Sequence, residues 1–145
     1  MPAAAITDRY RSASAPPLVT DAVTTDDLPT LDVGVLGELG LLDGGMHVVL
    51  AELVDAFVGV TEGHVRELCS GVADGDAAAV RRLAHTVKGS GGQLGGVALA
   101  AACTRLEERC AGEAPEGCAV AVHEVEVAYH ALARALQALV APVAP

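Results

Sequence analysis

The chain has a single lysine, Lys88, and it stands three residues after a histidine in the run Arg81-Arg82-Leu83-Ala84-His85-Thr86-Val87-Lys88-Gly89-Ser90-Gly91-Gly92-Gln93-Leu94-Gly95. All the other positive side chains among its 9 Lys and Arg residues are arginines. If Val80, Leu83 and Val87 face a core, the helical period sets Arg81, His85, Lys88, Gly89 and Gly92 on one outward stripe. An exposed neutral imidazole is a competent nucleophile toward phosphorus. A compact ammonium one turn away can meet phosphoryl oxygens in a way that the planar fork of Arg does not reproduce. A lysine landing there by chance accounts for the same placement without any chemistry. The glycines make a separate argument. Gly89, Gly91 and Gly92 each cost on the order of 1 kcal/mol relative to Ala if a helix runs through them. Either the helix ends near Lys88 and Gly-Ser-Gly-Gly is its cap and loop, or another backbone approaches the imidazole over a surface without β-carbons.

The remaining candidates are weaker. His47, His64, His123 and His130 read as solvated or core side chains. His123 and His130 are seven apart, too far along a helix for the i, i+4 clamp of two-histidine metal sites, and no metal ligand set is expected. Cys69, Cys103, Cys110 and Cys118 show no CxxC spacing, and free thiols are expected. Cys103 and Cys110 share a register with Leu99 and Leu106, the place of small buried hydrophobes on a helix.

Helices must carry these residues. Leu50, Leu53, Val54, Phe57, Val58, Val65 and Leu68 recur at steps of three and four, predicting one amphipathic helix over about 46 to 71. Ala73-Asp74-Gly75-Asp76 reads as a turn, with Asp74 or Asp76 placed to cap the next helix, which carries Val80, Leu83 and Val87 inward. Leu94-Gly95-Gly96 ends that helix. Leu99, Cys103, Leu106 and Cys110 define another over about 97 to 111, stopping before Gly112 and Pro115. Cys118, Val122, Val125, Tyr129, Leu132, Leu136 and Leu139 define the last, over about 117 to 140. Short connections make neighbours antiparallel, so the expected fold class is all-α: an up-down four-helix bundle over residues 29–141. A short additional helix is expected between Leu31 and Leu42, where nearby glycines limit its length. Residues 1–28 lack apolar periodicity and read as a disordered leader.

Composition bounds the class. With 52% hydrophobic residues but only 2% aromatics, the core must be aliphatic, which favours packed helices over a sheet sandwich. A formal net charge of −10 opposes nucleic acid and anionic membrane surfaces. Neither is expected as a partner. No run approaches the roughly 18 to 20 consecutive apolar residues of a spanning helix, and the opening MPAAAITDRYRSASAPP has no apolar signal core. A cytoplasmic monomer is the expectation.

The run AHTVKGSGGQLGG, followed by Cys103 and Leu106-Glu107, resembles the signature of histidine phosphotransfer (HPt) domains, which runs approximately Ala-His-x-Leu-Lys-Gly-Ser, then Leu-Gly, then Cys-x-x-Leu-Glu. A weaker similarity extends over about 30 to 140, through Leu31-Asp32, Phe57 and Asp76. Val87 stands where Leu is common, and the leader lies outside the pattern. The resemblance implies a phosphocarrier rather than an enzyme: His85 as phospho-acceptor, Lys88 supporting its phosphoryl group, Gly89 giving clearance, and a helix continuous through the glycines. Arg81, Arg82, Ser90, Gly92 and Gln93 complete the expected phosphoryl- and partner-binding set. The implied partners are response-regulator receiver domains or a hybrid histidine kinase. Magnesium is expected in the receiver and no cofactor in this chain. The sequence has neither a P-loop nor a kinase glycine loop from which to draw phosphate.

Three alternatives stand beside this reading. One is the same bundle binding a receiver or kinase without accepting phosphate. Another is a histidine-kinase dimerisation hairpin, against which stand the four helices and Thr86 in the place of the usual acidic residue. The third is a purely structural bundle or a small-ligand binder, with no support beyond the apolar content.

Overall fold

The computed structural model describes residues 28–112 and 115–142, the side chains of 112, 115 and 116 excepted. The expected leader, all but its last residue, lies outside them. Five α-helices occur among the described residues: α1 (Val33–Glu38), α2 (His47–Ala73), α3 (Ala77–Gln93), α4 (Val97–Gly112) and α5 (Pro115–Val140). A 3-10 turn at Gly44–Met46 leads into α2. Helices α2 to α5 each pack against their neighbours in sequence, and α5 returns to α2, which closes the four-helix bundle.

Local signals set the turns. Asp76 caps α3, its carboxylate accepting from Ala79 N at 3.1 Å, the usual service of an N-cap side chain to an unsatisfied donor. The α2–α3 and α3–α4 turns close in the same way. In the first, Asp76 N donates to Gly71 O at 2.9 Å and Gly75 N to Val72 O at 3.1 Å. In the second, Gly96 N donates to Gly91 O at 2.8 Å and Gly95 N to Gly92 O at 3.1 Å. Both are Schellman caps, and their left-handed residues are glycines, Gly75 at φ 70° and Gly95 at φ 86°. The segment before α1 is tied over the second turn: Asp32 N donates to Gly95 O at 2.7 Å and Ala98 N to Pro29 O at 3.1 Å.

The core is aliphatic with one aromatic centre. Tyr129 is fully buried among Val54, Leu68, Val125 and Leu132 in one continuous cluster. Its hydroxyl lies 2.9 Å from Glu62 Oε2 and 3.1 Å from Val58 O, the pairing that a buried phenol requires. Burial and the Glu62 carboxylate both push its pKa upward.

Several boundaries and inward positions differ from the expectation. The last helix starts at Pro115 rather than 117, because the fixed φ of proline suits the first helical position. Helix α4 includes Gly112. Leu53 is exposed and Leu83 only half-buried, while Ala84, Gly91 and Thr61 are buried. The true inward line of α3 is Val80, Ala84, Val87 and Gly91, turned slightly from the one that the larger side chains suggest. Gly44–Ala73 is long and apolar enough to cross a membrane by length and composition. A count of consecutive apolar residues overlooks this, because polar and small residues interrupt the run. In the bundle this helix instead lays Leu50, Val54, Phe57, Val65 and Leu68 into the core.

Candidate functional site

Helix α3 runs unbroken through Gly89, Gly91 and Gly92 and ends at Gln93. This overturns the reading in which the helix ends near Lys88 and Gly-Ser-Gly-Gly is its cap and loop. The glycines are helical residues whose cost must be offset, and they divide into two kinds. A Cβ on Gly91 would lie 2.7 Å from Leu99 Cδ2, so this glycine lets α4 pack close to α3. Cβ atoms on Gly89 and Gly92 would meet nothing within 4 Å. Those two leave bare backbone on the outer face.

His85 stands on that face with its side chain 75% exposed. Its Nδ1 is 3.6 Å from Glu107 Oε1, a charge contact beyond hydrogen-bond length. The same oxygen is 3.0 Å from Lys88 Nζ. Glu107 Oε1 is itself buried and makes no hydrogen bond of good geometry. One carboxylate oxygen therefore sits between the imidazole and the ammonium, sheltered from water and incompletely satisfied. Beside it, an open depression of about 640 Å³ is lined by Ala78, Arg81, Arg82, His85, Thr86 and Glu107. Arg81 and Arg82 are exposed on its rim. Beneath the site lies Cys103, fully buried. Burial pushes its thiol up to about 12, Glu107 adds to the shift and Lys88 opposes it.

Of the expected set, the fold brings His85, Lys88, Arg81, Arg82, Gly89 and Gly92 to one surface. Ser90 donates its hydroxyl to Thr86 O at 3.1 Å, back along its own helix. Thr86 does the same to Arg82 O at 3.1 Å. Gln93 is exposed at the end of α3, roughly 12 Å along the axis from His85 at 1.5 Å per residue. Neither Ser90 nor Gln93 joins the group around the imidazole.

Glu107 is the residue that sequence reasoning passed over as a site member, although it belongs to the Leu106-Glu107 pair of the recognised pattern. A positional signal was present. Gly96 stands eleven residues from His85 and eleven from Glu107. An antiparallel fold about the Gly95-Gly96 turn therefore sets the two side by side.

The arrangement offers a solvent-facing imidazole, a cation one turn along, a carboxylate oxygen 3.6 Å from one imidazole nitrogen and a glycine surface without β-carbons. No curated protein and no solved structure matches the chain. The family model described as Hpt domain matches residues 52–141, covering the histidine helix α3, both helices that follow it, α4 and α5, and most of α2. The chain belongs to the Hpt domain family, whose members are phosphocarrier modules with a phosphotransfer-related role in two-component signalling.

Proposed function

We propose that the chain relays a phosphoryl group between receiver-domain aspartates through His85. The observation that carries this reading is the grouping of an exposed imidazole with Lys88 and Glu107 on the helix face left bare by Gly89 and Gly92. With Nδ1 turned toward Glu107, the carboxylate favours the tautomer protonated there, and the Nε2 lone pair faces outward. Nε2 attacks the phosphorus of a partner's aspartyl phosphate in line. The bond to the acyl oxygen breaks, the aspartate leaves as carboxylate, and the Nδ1 proton stays beside Glu107. Transfer of this kind depends on positioning and charge neutralisation. Lys88 supplies a counter-charge to the phosphoryl oxygens, and Arg81 and Arg82 draw in the acidic rim of a receiver. The magnesium and the remaining catalytic groups belong to the receiver.

The test is incubation of the chain with a phosphorylated receiver domain and magnesium. Acid-labile, alkali-stable label on His85 is the expected result. A stable complex with the receiver and no label on the chain would instead identify a docking module that does not accept phosphate.

A further inference from the structure

Two buried thiols face each other where α4 ends and α5 begins. Cys110 Sγ and Cys118 Sγ are 2.8 Å apart, in hydrogen-bond contact, although the residues are eight positions apart on different helices. The other two cysteines have no such neighbour: Cys103 is enclosed in the core beneath His85 and Cys69 is exposed. Cys118 also has an outlet. It lines a small cleft of about 30 Å³ at the α2–α3 turn, together with Gly71, Val72, Gly75, Asp76, Ala77 and Val80. One water needs about 10–15 Å³ of such space, so the cleft takes roughly two small heavy atoms, the size of hydrogen peroxide. The cleft lies at the start of α3, and His85 stands roughly 12 Å further along that helix.

We propose that Cys110 and Cys118 form a dithiol modification site that reduces a small hydroperoxide and closes into a disulfide joining α4 to α5. Cys118, which faces the cleft, is the attacking sulfur. Its sulfur takes one oxygen of the peroxide, the O–O bond breaks, the Cys118 thiol proton passes to the departing oxygen, and with hydrogen peroxide the products are Cys118 sulfenic acid and water. Cys110 is the resolving thiol. Burial and the neighbouring Cys118 push its pKa up to about 12 against the opposing charge of Arg81, so it holds its proton until the sulfenic acid forms beside it. Its sulfur then attacks Cys118 Sγ, the S–O bond breaks, and the hydroxyl leaves with the Cys110 proton as a second water. Two thiols and one peroxide become one disulfide and two waters; the two electrons come from the sulfurs. The site requires no phosphotransfer chemistry and stands apart from the role proposed for His85.

The experiment treats the folded 145-residue chain with hydrogen peroxide, then alkylates it under denaturing conditions and maps the peptides. Expected is a product lighter by two hydrogens in which Cys110 and Cys118 are joined and escape alkylation until a dithiol reductant is added. In Cys110→Ala the sulfenic acid should persist on Cys118 and be captured by a dimedone-type probe. In Cys118→Ala, Cys110 should remain an unmodified thiol. If Cys110 and Cys118 both stay alkylatable at a peroxide dose that oxidises Cys69, the proposal is wrong. It is equally overturned if the disulfide forms only after the chain is unfolded.

Discussion

The carboxylate of Glu107 stands 3.0 Å from the ammonium of Lys88, so the only lysine of the chain has a counter-charge in the resting bundle. Both side chains are about a quarter to a third exposed, and pairs of this kind contribute on the order of 1 kcal/mol or less. A phosphoryl dianion on His85 can draw Lys88 away from Glu107 at little cost. While the pair persists, Glu107 also competes for the ammonium. Glu107→Gln should therefore lengthen the lifetime of the phosphohistidine, because Lys88 then has one anion to serve, and should change stability by less than about 1 kcal/mol. Phosphorus NMR of the phosphorylated chain measures that lifetime. A shorter lifetime would mean that holding the Nδ1 proton matters more than the competition for Lys88.

His85→Gln should abolish phosphate acceptance and leave the fold intact. The side chain is 75% exposed and its nearest charge contact is 3.6 Å away, and substitutions at such positions usually change stability within about 0.5 kcal/mol. Thermal melting followed by circular dichroism, alongside transfer from a labelled receiver, gives both readouts. A large drop in melting temperature would assign His85 to the structure rather than to the chemistry.

The glycines of α3 should separate into two phenotypes. Gly89→Glu adds bulk and negative charge to open surface, so transfer should slow while the fold stays stable or gains from better helix propensity. Gly91→Ala forces a methyl toward Leu99, which is 1% exposed and has little room to move. A net loss of about 1–2 kcal/mol is expected, overpacking outweighing the propensity gain. Urea unfolding of both variants checks the assignment. Equal stability of the two would show that Leu99 repacks freely.

The long helices were legible in the sequence because Cys118, Val122, Val125, Tyr129, Leu132 and Leu136 step at the helical period, and all of them are buried. The Asp76 cap and the Gly95 turn were legible from residue type at the right offset. What stayed hidden depended on tertiary proximity or on small residues. Ala84 is completely buried, but in so alanine-rich a chain an alanine does not mark an inward face, and the larger Leu83 drew the inferred core line to one side. Thr61 lies in the core although its residue type suggests solvent. The Glu107–Lys88 pair and the Cys110–Cys118 contact each join different helices, so neither follows from the periodicity of one segment.

Alkaline pH should loosen the bundle through Cys103. A cysteine thiol ordinarily titrates at 9.0 and burial pushes the folded one up to about 12, so between those values the folded chain holds a proton that the unfolded chain has released. The stabilisation from this group is fully present below about pH 9 and lost as pH rises toward about 12. At about pH 10 the loss amounts to roughly 1 kcal/mol. Cys103→Ala should lower stability at neutral pH by removing packed volume, yet show a shallower decline between about pH 8 and pH 10. Urea melts at the two pH values measure the slopes. Parallel slopes in variant and wild type would mean that other groups, Cys110 among them, carry the alkaline transition.

Lys88→Ala separates a direct contact with the phosphoryl group from an indirect effect on the nucleophile. Removing the ammonium leaves Glu107 Oε1, a buried oxygen already short of hydrogen bonds, without its cation. A stability loss of up to about 1 kcal/mol is expected, limited because both side chains are partly exposed. Transfer should fall further, by roughly 10- to 100-fold, since the transition state loses the charge placed to meet the phosphoryl oxygens. Lys88→Arg should recover only part of the rate, because a planar fork does not reproduce a compact point charge beside Glu107 and one turn from His85. Rates measured across a range of pH separate the two, because a counter-charge in direct contact with the transferred group is missed at every pH. If Lys88→Ala reaches the wild-type rate at high pH, Lys88 does not act on the transferred group directly. A deficit that persists at high pH, together with partial rescue by arginine, supports direct contact between Lys88 and the transferred group.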